Sequence, residues 1–115
     1  MSQQKKRYCL LLDLKDDEQL IKEYEQYHLS IWPEIEKSIK DAGITSMEIY
    51  RVGNRMSMLM EVDNTFSFEE KSTADKGNEK VQEWELLMWK YQQALPLAKE
   101  GEKWMLAEKI FSLIK

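Results

Sequence analysis

Apolar and polar positions alternate along residues 6–14, KRYCLLLDL, where Leu10, Leu12 and Leu14 are interleaved with Leu11 and Asp13. An extended chain points successive side chains to opposite faces, so a strand with one buried face is expected here. The period then lengthens. Asp16 and Asp17 supply an acidic helix N-terminus, where side-chain oxygens cap free amides and negative charge meets the positive end of the dipole. Leu20, Tyr24, Tyr27 and Ile31 form the apolar stripe of that helix. Pro33 cannot donate to the residue four back and pushes Trp32 toward extended geometry. A short second helix is expected from Pro33, with Ile35 and Ile39 inward and Gly43 stopping it.

Residues 44–52 (ITSMEIYRV) and 55–62 (RMSMLMEV) flank Gly53-Asn54, and glycine at the first central position of a two-residue turn signals a hairpin. Met56, Met58, Met60 and Val62 share one face of the second hairpin strand. The polar stretch from Asp63 to Lys80 reads as a loop, although Ser67 and Glu70 have the capping-box spacing of a short helix. Val81, Trp84, Met88, Tyr91 and Leu95 form one stripe of a helix over 79–95, ended by Pro96. The tail KWMLAEKIFSLI reads as a last strand. The order strand, helix, strand, strand, helix, strand is the split arrangement of a ferredoxin-like α+β sandwich. Right-handed crossovers place the helices on one face of an antiparallel sheet. The other face then needs cover, and a homodimer supplies it most economically.

Composition narrows the function classes. At 115 residues the chain is expected to be a single domain, 1–115, with one core. Apolar residues make up 43%, too many for a disordered chain. Net charge is −4 with both signs interspersed, and the longest basic run is Lys5-Lys6-Arg7, which argues against nucleic acid. The apolar run from Tyr8 to Leu12 is too short for a membrane span or signal peptide. Cys9 is the only cysteine, which points to a reducing, cytoplasmic setting. One histidine and one cysteine make a dedicated metal site unexpected, and no glycine lies in a phosphate-cradling motif.

The candidate chemistry sits in EYEQYHLSIWPEIEK, residues 23–37, where Tyr24, His28 and Trp32 follow one another at four-residue spacing. Such residues stack on one helix face. They either pack dry against the sheet or line a pocket. The only histidine of the chain, His28, suits proton exchange near neutral pH, and a phenol one turn away can orient a ligand hydroxyl or the imidazole. Trp84 reads as core. Trp89 lies about 100° round the helix from Met88, and widens the core, meets a partner copy or stacks on a sugar. The row Met56, Met58, Met60 reads as core or interface filling. Glu48, Glu61 and Glu108 are strand carboxylates, each more simply read as solvated.

Taken together, YEQYHLSIWPEIEKSIKDAG, SMEIYRV, MWKYQ and LAEKIFSLI resemble the L-rhamnose mutarotase family over nearly the whole chain. The most specific element is Tyr24-x-x-x-His28 followed by Trp32-Pro33-Glu34. The resemblance implies a ferredoxin-like homodimer that interconverts the α and β anomers of a deoxy sugar, L-rhamnose or a relative such as L-fucose, without metal or cofactor. It puts His28 in the place of the proton-donating histidine and Tyr24 in that of a ligand-contacting tyrosine. Trp89 matches the second of two tryptophans that contact the sugar. Met88 stands where the first is expected, and Met47 where a hairpin tyrosine meets substrate. A small cofactor-free monooxygenase on the same architecture and a non-catalytic binding module are the competing readings.

Overall fold

The computed structural model describes residues 6–114, so the expected domain bounds and Lys5 run past the described residues. The chain runs β1 (Lys6–Leu14), α1 (Glu18–Leu29), α2 (Pro33–Asp41), β2 (Ile44–Val52) and β3 (Arg55–Val62). It continues through α3 (Phe68–Lys76), α4 (Glu79–Trp89), β4 (Gln92–Gln93) and β5 (Met105–Leu106). The antiparallel sheet has the order β2-β3-β1-β4, with β5 also paired to β1. That is the expected ferredoxin-like α+β arrangement.

The alternation read in β1 sets which face is buried. Leu12 pairs with Met56, Leu10 with Met58, and Met60 with Met47, so the methionine row and the leucines share one face. Leu12, Leu14 and Met56 are almost fully buried there, with Tyr24 of α1, Ile35 of α2, and Val81, Trp84 and Met88 of α4 packed on them. Each such aliphatic side chain contributes about 1.5–3 kcal/mol. The methionines are therefore core. The opposite face carries Cys9, Leu11, Ser57, Leu59, Glu48 and Tyr50, with no helix over it. Leu59, Tyr50 and Val52 remain exposed.

The helix boundaries follow local chemistry. Asp17 caps α1 by accepting from the Leu20 amide at 3.0 Å. Trp32 is extended (φ −60°, ψ 138°) and Pro33 opens α2. After α2 the chain turns at Gly43, whose φ is +94°. A Cβ there would stand 2.5 Å from Asp63 Oδ1 and 2.6 Å from Thr65 Oγ1, so both conformation and space demand glycine. Gly53, at φ +59°, makes the β2–β3 turn.

Three expectations are corrected. The polar stretch is not a plain loop: it holds the short helix that the Ser67–Glu70 spacing allowed, α3, with Ser67 accepting from the Glu70 amide. Helix α3 has no apolar stripe; Phe68 at its start meets Tyr8 edge-on at 4.9 Å, and polar contacts hold the rest. Lys71 Nζ donates to Asp75 at 2.6 Å, and Ser38 Oγ of α2 donates to the same carboxylate at 3.2 Å. The helix over 79–95 stops at Trp89, because Gln92 and Gln93 satisfy the β1 edge at Leu14 and Asp13. Tyr91 and Leu95 are buried as the stripe demanded, but from the turn before β4 and the loop after it. The tail is not a continuous strand. Only Met105 and Leu106 join the ladder, with the Ala107 amide donating to Cys9 O at 2.7 Å. Beyond them Ile110, Phe111, Leu113 and Ile114 are exposed. The fourth strand is thus split, and residues 94–104 make a detour between its halves.

Candidate active site

The four-residue spacing in α1 brings Tyr24 and His28 together on the sheet-facing side. Their ring centroids lie 4.3 Å apart, and Trp84 of α4 meets the imidazole edge-on at 5.7 Å. His28 Nδ1 lies 2.8 Å from the Tyr24 carbonyl oxygen. A carbonyl only accepts, so Nδ1 carries the hydrogen and donates, and Nε2 carries the lone pair of the neutral ring. Burial lowers the His28 pKa, partly offset by that hydrogen bond to Tyr24 O. The imidazole is therefore neutral at pH 7, with its tautomer fixed by its own helix.

Two adjoining cavities share this wall. The outer one, about 740 Å³, is lined by Glu25, Ser46 and Arg51 as well as His28. The inner one, about 280 Å³, lies between sheet and helices. Both are lined by Tyr24, His28, Ile31, Ile39, Ile44, Met47 and Ile49. The inner volume is close to the roughly 300 Å³ at which small-molecule sites begin. The imidazole thus borders space for a small ligand.

Tyr24 is buried, and its hydroxyl accepts from Gln92 Nε2 at 3.1 Å. Desolvation pushes its pKa up to about 12; the Gln92 hydrogen bond works against this and the negative charge of Glu85 adds to it. Near neutrality Tyr24 is a hydrogen-bonding phenol and no base. Gln92 is also buried, and its Oε1 is the one buried side-chain oxygen or nitrogen without a partner among the described residues. An orphaned buried acceptor costs about 1–3 kcal/mol. Glu85 lines the inner cavity and pairs with Lys103.

Of the residues singled out in the sequence, Tyr24, His28 and Met47 line both cavities, and Met88 lines the inner one. Trp89 lines neither. Its exposed ring holds Lys103 Nζ 4.9 Å from the centroid, so it braces a cavity residue from outside. The indoles on the inner cavity are Trp84 and Trp104. Trp32 packs edge-on against Trp84 at 5.1 Å, while Leu29, Ser30 and Ile31 of the helix break reach the outer cavity. Glu61 pairs with Arg7 and Glu48 accepts from Tyr50, both on the open sheet face. Sequence reasoning missed Gln92, Glu85, Lys103 and Trp104. Gln92 was read as helical, and Lys103 and Trp104 as strand, so their faces were assigned from the wrong period. Among the described residues no three His, Cys, Asp or Glu side chains cluster as metal ligands, and no helix is long and apolar enough to cross a membrane.

Known proteins share this fold, and some are similar in sequence. The solved structure of an L-rhamnose mutarotase from Formosa agariphila superposes with a TM-score of 0.70 at 20% identity, covering 94% of this chain and 98% of the other. Tetracenomycin F2 cyclase from Streptomyces glaucescens, a type-II polyketide cyclase, superposes with a TM-score of 0.65 at 16% identity, covering 93% and 95%. At such identities these likenesses show the shared fold alone. In sequence the chain is 45% identical over 109 residues to an L-fucose mutarotase from Xanthomonas campestris pv. campestris, covering 93% of this chain and 87% of that one. It is 33% identical over 114 residues to a UPF0734 protein from Dictyostelium discoideum, covering 94% and 90%. The family model for L-rhamnose mutarotase matches residues 7–113, and the chain belongs to that family.

Proposed function

We propose that the protein is a sugar mutarotase, an isomerase that interconverts the α and β anomers of a 6-deoxy aldose, with L-fucose the first candidate and L-rhamnose the second. Family membership and the 45% identity to an L-fucose mutarotase support the reaction and that order of sugars. The observation that carries the mechanism is the orientation of His28. Its Nδ1–H is spent on Tyr24 O, while the ring borders both cavities and Nε2 keeps its lone pair.

Mutarotation opens the pyranose. The anomeric hydroxyl loses its proton, the bond from C1 to the ring oxygen breaks, and the ring oxygen gains a proton. Rotation about the bond to the free aldehyde and reclosure on its other face give the second anomer. Atoms and electrons balance within the sugar, so only protons move. Neutral His28 accepts the anomeric proton at Nε2 and returns it as imidazolium to the ring oxygen, the reverse reaction using the same states. Such a group contributes on the order of 10²- to 10⁴-fold. Tyr24 orients a sugar oxygen through its hydroxyl. Met47 and Met88 give the cavity adaptable apolar walls for the C6 methyl group, and Trp84 and Trp104 offer faces for sugar C–H groups. Trp89 acts from behind, against Lys103.

We take the described residues to act as one unit, its two buried clusters bridged by the half-buried Ile39 and Trp104. That unit acts as a homodimer. Leu59, Tyr50 and Val52 on the open face and the exposed Ile110, Phe111, Leu113 and Ile114 give a second copy apolar surface to cover. The single thiol Cys9, beside Ser57 Oγ at 3.3 Å, suits the reducing cytoplasm.

The test is anomer exchange by NMR saturation transfer on L-fucose, L-rhamnose and D-glucose. Exchange of a 6-deoxy sugar above its uncatalysed rate is expected. Its absence from every sugar refutes the reading. Oxygen uptake without anomer exchange would favour a cofactor-free monooxygenase instead.

A further inference from the structure

Gln92 and Tyr24 both line the inner cavity, and their side chains are hydrogen-bonded to each other. Gln92 comes from β4, where its backbone pairs with Leu14, and its side chain crosses to α1 to donate from Nε2 to Tyr24 O at 3.1 Å. That bond uses one lone pair of the phenol and leaves its O–H free to donate. It also leaves Gln92 Oε1 buried with no donor among the described residues. Turning the amide over reverses the internal bond and still leaves at least one unspent donor beside an unspent acceptor.

A single group on the ligand that both gives and accepts a hydrogen bond answers such a pair, and on a sugar that group is a hydroxyl. We propose that Gln92 is a specificity-determining residue, reading with Tyr24 one ring hydroxyl of the bound aldose. The inference rests on the mutarotase reading above, which assigns the cavity to a sugar. It does not invoke the proton transfer at His28. An ether oxygen or a fluorine in that place accepts from the phenol and gives nothing to the amide. A hydrogen in that place leaves both polar groups buried and unpaired, the arrangement by which a site rejects a ligand lacking a hydroxyl.

The pairing is tested with L-fucose and its 2-, 3- and 4-deoxy and deoxyfluoro analogues, each enzymatic exchange rate normalised to the uncatalysed rate of the same sugar. In the wild-type protein one position is expected to stand out, with both of its analogues exchanged at least about 10-fold less efficiently than L-fucose. In Gln92→Leu, which keeps volume and removes both amide atoms, KM for L-fucose is expected to rise and the ratio between L-fucose and that analogue to fall toward one. A purely structural glutamine would lower all sugars together and leave the ratio intact. Gln92→Met serves the same purpose should the leucine variant fold poorly. Equal exchange of all analogues by the wild-type protein overturns the proposal without recourse to any variant. If wild-type protein exchanges L-fucose and the ratio survives in both variants, only the Gln92 inference falls. If it exchanges no sugar at all, the mutarotase reading falls and takes this inference with it.

Discussion

Replacing His28 by alanine separates chemistry from folding. The imidazole stacks on Tyr24 at 4.3 Å and meets Trp84 at 5.7 Å. Aromatic contacts of this kind contribute about 0.5–1.5 kcal/mol each, so their loss costs about 1–3 kcal/mol. Against a typical domain stability of about 5–15 kcal/mol, the variant stays folded. The catalytic loss is larger. Removing an acid–base group worth 10²- to 10⁴-fold raises the barrier by about 2.7–5.4 kcal/mol, which brings anomer exchange close to the solvent rate. Saturation transfer between the anomeric protons of L-fucose reads the rate, and a circular dichroism melt on the same sample reads the fold. A folded His28→Ala protein that exchanges anomers within about 3-fold of wild type would refute the assignment. An unfolded one would move the question to His28→Gln.

Because burial lowers the His28 pKa below its usual 6.5, wild-type kcat/KM should hold level through neutrality and fall with a midpoint below 6.5. The same shift gives the stability a sign: a base held neutral in the fold contributes stability above its unfolded pKa, and the contribution is lost as pH falls through the folded one. Melts of wild type and His28→Gln from about pH 8 to 4.5 should therefore converge on the acid side. Gly43→Ala should cost about 1–3 kcal/mol, measured by urea unfolding, since φ is +94° and the new Cβ would meet Asp63 and Thr65. A variant as stable as wild type would show that the α2–β2 turn is not held as described. Phe111→Asp with Ile114→Asp should convert dimer to monomer in light scattering, and an unchanged mass would remove the tail from the interface.

The sheet and first helices were legible because local and tertiary preferences agree there. The leucines of β1, the Asp17 cap, the Trp32-Pro33 break and the Gly53-Asn54 turn each pointed to one structure. Reading failed where a short segment answers to something remote. Helical periodicity carried α4 past Trp89, yet the free edge of β1 claims Gln92 and Gln93. Helix α3 shows no apolar stripe because its anchors, Phe68 on Tyr8 and the Lys71–Asp75–Ser38 cluster, are single contacts with other elements. Half of the site was therefore visible. Tyr24 and His28 share a helix face, which spacing reports. Gln92, Lys103 and Trp104 arrive through the interrupted fourth strand, and no periodicity in the chain announces a detour.

That detour carries a trade-off. Residues 94–104 leave the sheet edge at Gln93 and regain it at Met105, and on the way they place Lys103 and Trp104 around the ligand space. Had those residues continued the ladder, the edge would be longer and the chamber would lose one side. Loop lengthening or shortening there retunes which molecule fits, while the imidazole, seated on a separate helix, keeps its aim. On the proposed reading, one wall of the chamber can change through residues 94–104 while Tyr24 and His28 keep their places on α1.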